Sequence, residues 1–129
     1  MTLLALALAP IFIILFYVYI RDKYEREPIG LLIKAFFSPL TVIPILFIGS
    51  FIESFEANFS GLFAAAYRAF IVAAFNEEFF KFIALYLLIW KSSEFDEKFD
   101  GIVYAVFISL GFAAVENVMY VYQYGHETE

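Results

Sequence analysis

Two adjacent glutamates, Glu77 and Glu78, stand inside the apolar run Ala66–Trp90, with Lys81 one helical turn further on. A second acidic position, Glu116, followed by Asn117, stands inside the apolar run Gly101–Tyr122. An ionisable side chain at the bilayer centre costs about 2.5–3.5 kcal/mol on insertion scales, so acids kept there need a compensating role. Lys81 lies at i+4 from Glu77 and i+3 from Glu78 and reaches either carboxylate. One ammonium cannot neutralise two carboxylates. The pair must carry a proton, bind a cation or borrow a positive partner. Hydrolysis suits such a set. A carboxylate in a dry pocket takes a proton from water as a general base, or two or three carboxylates hold a divalent cation that lowers the pKa of bound water. Asn117 has an amide N–H to offer a developing oxyanion. The plainer reading of the same residues is a Lys–Glu–Asn network that ties two helices together.

Other catalytic chemistries find few residues. There is no cysteine, and the single histidine is His126, four residues before the last position, which reads as an exposed tail residue. A Ser–His site therefore lacks a base. A paired-aspartate intramembrane site needs two membrane aspartates. Only Asp100 is a candidate, and at the edge of an apolar run it reads as a helix N-cap. No glycine-rich phosphate loop is present.

The elements that carry these residues follow from composition. The 129 residues are 64% hydrophobic and 17% charged, against about 45–50% and about 25% in a soluble domain. A disordered chain, a disulfide scaffold and a nucleic-acid-binding module are excluded. Four apolar runs, 2–20, 29–52, 66–90 and 101–122, each reach the roughly 20 residues that span a bilayer. The expected fold is all-α: a polytopic membrane protein of four transmembrane helices forming one domain over residues 1–129. Pro39 and Pro44 predict a kink in the second helix. The first run lacks a basic n-region and exceeds the length of a signal-peptide core, so it reads as a retained helix. Between the second and third spans, Phe55, Phe59, Leu62 and Phe63 recur at helical spacing. A short interfacial helix and a plain loop fit that segment equally.

The short loop Lys91–Asp100 makes the third and fourth spans antiparallel neighbours. Glu116 lies roughly 7 Å past its span's midpoint, an offset that long glutamate side chains bridge. Glu77, Glu78 and Glu116 are thus expected to converge on one water or metal ion. Ser109 and Ala113, on the same helical stripe as Glu116, are expected to permit close helix approach. Arg21, Lys23, Arg26, Lys91 and Lys98 fall in the first and third loops, and the opposite side offers only Arg68. The bias places those loops in the cytoplasm and both termini outside. The loop acids, including Asp22, Glu25, Glu27 and Asp100, do not alter this orientation, which follows Lys and Arg.

These residues resemble the PrsW family of intramembrane metalloproteases, related to the CAAX-protease and bacteriocin-processing superfamily. The resemblance runs through Tyr19-Ile20-Arg21-Asp22-Lys23-Tyr24-Glu25-Arg26-Glu27-Pro28, then Glu77-Glu78-Phe79-Phe80-Lys81. It is closest at Phe95-Asp96-Glu97-Lys98-Phe99-Asp100-Gly101-Ile102-Val103-Tyr104, and ends with Leu110-Gly111-Phe112-Ala113-Ala114-Val115-Glu116-Asn117. A lone Glu-Glu-x-x-Lys is weak; these motifs in this order are specific. Ala105 stands where the family usually has glycine.

The resemblance implies an endopeptidase of the bacterial plasma membrane that cuts a membrane-anchored substrate of the anti-sigma-factor type, as a site-1 protease in stress signalling. It implies Glu77, Glu78 and Glu116 as catalytic carboxylates, with Lys81 and Asn117 beside them. Glu78 and Glu116 are the candidate ligands of a divalent metal, zinc in the first instance. Family members continue into further spans bearing histidines, so this chain is expected to be the N-terminal part of a longer protease domain. The alternative from another class is a non-enzymatic membrane subunit, or an inactive fragment, whose carboxylates bind a cation or a substrate helix. A proton-coupled transporter has the acids but too few helices without oligomerisation.

Overall fold

The computed structural model describes residues 2–22 and 26–125, with 41–47 described by their backbone. Lys23 and Glu25, counted among the loop charges, and His126 lie outside the described residues. Everything described is helix, turn or loop, with no strand among the described residues.

Helix α1 covers Thr2–Arg21. Twenty residues rising 1.5 Å each make about 30 Å, the thickness of the hydrocarbon core. Only Ile11 is buried along it, while Phe12, Ile13, Phe16 and Tyr17 are exposed. An apolar helix left bare on most sides is expected where lipid rather than water is the solvent. The last helix, α6 (Asp100–Tyr124), is also long and apolar enough to cross. The two runs between them are helical but interrupted.

The second run divides into α2 (Ile29–Phe37), a 3₁₀ turn Ser38–Val42, and α3 (Ile43–Ser54). The break falls at the prolines, as their sequence positions predict. Pro39 has no N–H for the carbonyl of Ala35, four residues back. Ser38 fills the vacancy: its hydroxyl donates to that oxygen at 2.7 Å, and its backbone N–H points to the same atom.

The segment between the second and third runs is neither a separate interfacial helix nor a plain loop. α3 tightens into a 3₁₀ turn at Phe55–Asn58, the chain runs extended through Phe59 and Ser60, and Gly61 (φ +56°) turns it into α4 (Gly61–Tyr67). Tyr67 fastens the hairpin by donating its hydroxyl to the carbonyl of Ile52 at 3.0 Å, and its ring stacks on Phe59. The helix then widens into a π-helical stretch, Arg68–Phe75, and tightens again as α5 (Asn76–Leu88). The third run is therefore continuous helix from 61 to 88, longer at its start than the sequence predicts.

α6 is the central element, packed on α1, α2, α5 and the Ser38–Val42 turn. The core is assembled around its first half: Val103, Tyr104, Phe107 and Ile108 meet Leu32 and Ala35 of α2, Ala84 of α5 and Ile89 just beyond it. The closest backbone approach is at Gly111. A Cβ there would lie 2.0 Å from the carbonyl oxygen of Phe36 and 3.2 Å from Pro39. In lipid, helices associate through such close packing because water no longer drives them together. Gly111 thus performs the role that the sequence reading gave to Ser109 and Ala113; Ser109 is exposed.

Candidate functional site

The first turn of α5 carries Asn76, Glu77 and Glu78, immediately after the π-helical stretch. π-turns occur often at functional sites because the extra residue in the turn shifts the direction of the side chains that follow. Asn76 lies against α3, its Nδ2 only 3.1 Å from where a Cβ on Gly49 would stand. Lys81 turns back over both glutamates, with Nζ 2.8 Å from Glu78 Oε1 and 3.8 Å from Glu77 Oε2. Its side chain is 19% exposed and that of Glu78 is 73% exposed. The ammonium also sits 5.8 Å from the Phe112 ring centroid of α6, a cation–π contact that fixes it at the α5–α6 seam.

Glu116, one turn beyond Phe112, interacts electrostatically with Glu77 and Lys81. The structure therefore brings together Glu77, Lys81 and Glu116, with Glu78 on the outer side of Lys81. Such an arrangement leaves three carboxylates around one ammonium, Glu78 nearest to it, a set able to hold and pass a proton. Of the two candidate metal ligands, Glu78 pairs with Lys81 and Glu116 feels the charges of Glu77 and Lys81. Among the described residues no three of His, Asp or Glu stand close enough to hold a metal ion, whereas catalytic zinc usually takes three protein ligands. The described residues alone do not fit that group.

Asn117 lies one residue, about 100° of helix, from Glu116 and faces another neighbour. Its Nδ2 donates to the carbonyl of Ala7 on α1 at 2.8 Å. This amide ties α6 to α1 rather than reaching toward the glutamates as an oxyanion donor. Arg68, the outer-side cation of the orientation argument, is paired with Glu56 at 2.9 Å on the surface.

A second acidic group was read in the sequence as loop charge, and the structure buries it. Asp22 is 4% exposed, Glu27 5% and Asp100 2%, and Tyr104 is fully enclosed. The Tyr104 hydroxyl donates to Glu27 Oε2. The Glu27 amide donates to Asp22 Oδ2 at 3.2 Å. Asp100 does not cap α6 by a side-chain bond; its Oδ2 instead accepts the amides of Asp96 and Glu97, at 3.0 and 2.7 Å, from the loop before it. No Lys or Arg among the described residues forms an ion pair with these acids. Burial pushes the Glu27 carboxyl up from 4.5 to about 7, with Asp100 and Asp22 adding to it and the Tyr104 donor opposing. One signal could have found the group: Asp100 and Tyr104 share a helix face at i, i+4, and Glu27 directly precedes the proline that opens α2.

Described residues that are helical, with apolar side chains facing outward and a lysine-bridged acid set between two helices, are the features of a membrane protein. Residues 27–129 match the model of the PrsW family intramembrane metalloprotease, and the chain belongs to that family. It is 40% identical over 129 residues to the protease PrsW of Geobacillus kaustophilus, covering 98% of this chain and 55% of that protein. It is 41% identical over 128 residues to the protease PrsW of Oceanobacillus iheyensis, with 98% and 57% covered. The protease PrsW of Bacillus subtilis is 34% identical over 126 residues, with 97% and 56% covered. The chain thus spans about half the length of the curated relatives it matches. No solved structure matches it.

Proposed function

We propose that this chain forms the glutamate-bearing part of an intramembrane endopeptidase. The observation that carries the reading is the Glu77–Lys81–Glu116 seam between α5 and α6, in an apolar helical chain of the PrsW family. Three relatives that it matches are named as proteases. Two carboxylates facing one ammonium supply a base that accepts a proton from water and an acid that returns one to the leaving amine. Lys81 keeps at least one carboxylate ionised by holding positive charge beside it. Glu78, exposed on the outer side of the same lysine, is the acid open to water or substrate entering from that face. Asn117 fixes the rotation of α6, and so the direction of Glu116, through its bond to α1.

In the same reading the chain crosses a bacterial plasma membrane four times. The first and third loops lie in the cytoplasm and both described ends outside, as the excess of Arg and Lys in those loops requires. The substrate is a membrane-anchored protein of the anti-sigma-factor type, cut at a first site. A divalent metal would add Lewis acidity and a lowered water pKa; donors beyond the described residues would be needed to hold it.

Cleavage of a reconstituted membrane-anchored substrate by the full-length parent protein tests this. Glu77→Gln, Glu78→Gln and Glu116→Gln are each expected to lower the rate by at least about 10²-fold, the usual worth of a general acid or base. Near-wild-type rates for both Glu78→Gln and Glu116→Gln would overturn the assignment.

A further inference from the structure

We propose that Glu27, Asp100 and Tyr104 form a proton-held clasp between the first loop and the foot of α6, closed when Glu27 carries a proton and loosened when it ionises. The geometry is independent of the proteolytic reading. Glu27 stands between α1 and α2, while Asp100 and Tyr104 open α6, more than seventy residues later in the chain. They meet in a buried pocket of polar atoms. The Tyr104 phenol donates to one Glu27 oxygen. Asp22 receives the Glu27 amide and so fixes the backbone turn that aims the side chain. Asp100, already accepting two loop amides through Oδ2, is close enough to Glu27 to exchange a hydrogen bond with its carboxyl.

Two buried carboxyl groups in contact hold together only if one of them supplies the proton between them. Asp100 receives two backbone N–H donors and is the natural acceptor, which makes Glu27 the proton carrier. Among the described residues, the groups that act on Glu27 are negative or neutral: Asp22 from the end of α1, and Asp100 and Tyr104 from α6, with Glu94 acting on Tyr104 from the third loop. The nearest cation in sequence, Arg26, places its guanidinium over the Tyr19 ring, 5.7 Å from the centroid. No ammonium or guanidinium among the described residues is paired with the cluster to replace a lost proton. Ionisation of Glu27 therefore sets two carboxylates against each other at a joint between two loops, and the joint loosens. The amides of Asp96 and Glu97, both donated to Asp100 Oδ2, report the joint directly.

The sign of the pH dependence follows. The folded chain keeps this proton up to about 7, while an unfolded chain releases it near 4.5. The stability held in the clasp is complete below the lower value and has gone once the pH passes the upper one.

Hydrogen–deuterium exchange on the full-length parent protein in lipid nanodiscs, from about pH 5.5 to about pH 8.5, is the test. After correction for the intrinsic pH dependence of exchange, protection of the Asp96 and Glu97 amides should fall about tenfold per pH unit up to a midpoint of about 7, where Glu27 ionises in the closed clasp, and level off above it. Glu27→Gln keeps a neutral, hydrogen-bonding side chain and should make protection flat across the range. Tyr104→Phe removes the opposing donor and should move the midpoint to higher pH, which serves if Glu27→Gln does not fold. Wild-type protection that is independent of pH would overturn the proposal. So would a pH dependence unchanged in Glu27→Gln, or a midpoint that does not rise in Tyr104→Phe.

Discussion

Two acidic groups divide the charge of α6 between its ends, and they are built on opposite principles. At the foot, Asp100 and Tyr104 meet Asp22 and Glu27 in a buried pocket where no Lys or Arg among the described residues pairs with the acids, and hydrogen bonds to backbone amides and a phenol hold them. About 18 Å along the helix from Tyr104, Glu116 meets Glu77 and Lys81 at a seam where the acids are partly open and the cation is shared. The first group directs its hydrogen bonds to holding two loops. The second keeps carboxylate oxygens free and a proton inventory that one lysine cannot fill. A carboxylate with all its partners inside the protein is a fastener, and one with unfilled capacity is available for reaction.

The sharpest way to break this contrast is to neutralise acids at both ends. The seam substitutions Glu77→Gln and Glu116→Gln should cost at least about 10²-fold in substrate cleavage by the full-length parent, while Glu27→Gln should alter the pH response of loop protection. Equal loss of cleavage from both groups, with no pH signature at the foot, would dissolve the distinction.

Gly111 lies between the two groups and sets the spacing of α6 from α2. Gly111→Ala forces a methyl against the Phe36 carbonyl. It should destabilise the fold by about 1–3 kcal/mol, measured by denaturation in mixed micelles, and should disturb both ends together. Asn117→Ala removes the tie to Ala7. It should cost only about 0.6 kcal/mol, the average for interhelical hydrogen bonds in membranes, yet lower cleavage by letting Glu116 rotate. The smallest effect belongs to Arg68→Ala, which breaks an exposed pair with Glu56. It should leave the denaturation midpoint unchanged within error.

Much of this architecture was legible in the residues. The four apolar runs all form helix, and the break in the second falls at its prolines because a missing N–H is a local fact. Lys81 reaches both Glu77 and Glu78 because i+3 and i+4 are neighbours on any helix. Facts that depend on rotation were not legible. The π-helical stretch before Asn76 shifts the phase of the following turn, so an ideal helix cannot say which glutamate faces Glu116. Asn117 was grouped with Glu116 by adjacency, yet 100° of helix sends it to α1. The acids of the first and third loops counted only as loop charges, because their burial depends on how the two loops meet.

The sequence by itself determined an apolar helical chain, the family it belongs to, and the lysine–glutamate turn on its third helical run, all properties of spacing along one strand of covalent bonds. Only the tertiary structure decided which acids meet. Glu27 and Tyr104 are separated by seventy-seven positions and joined by one hydrogen bond. That encounter needs α6 to lie close against α2, and Gly111, where a side chain would meet the Phe36 carbonyl, permits the approach.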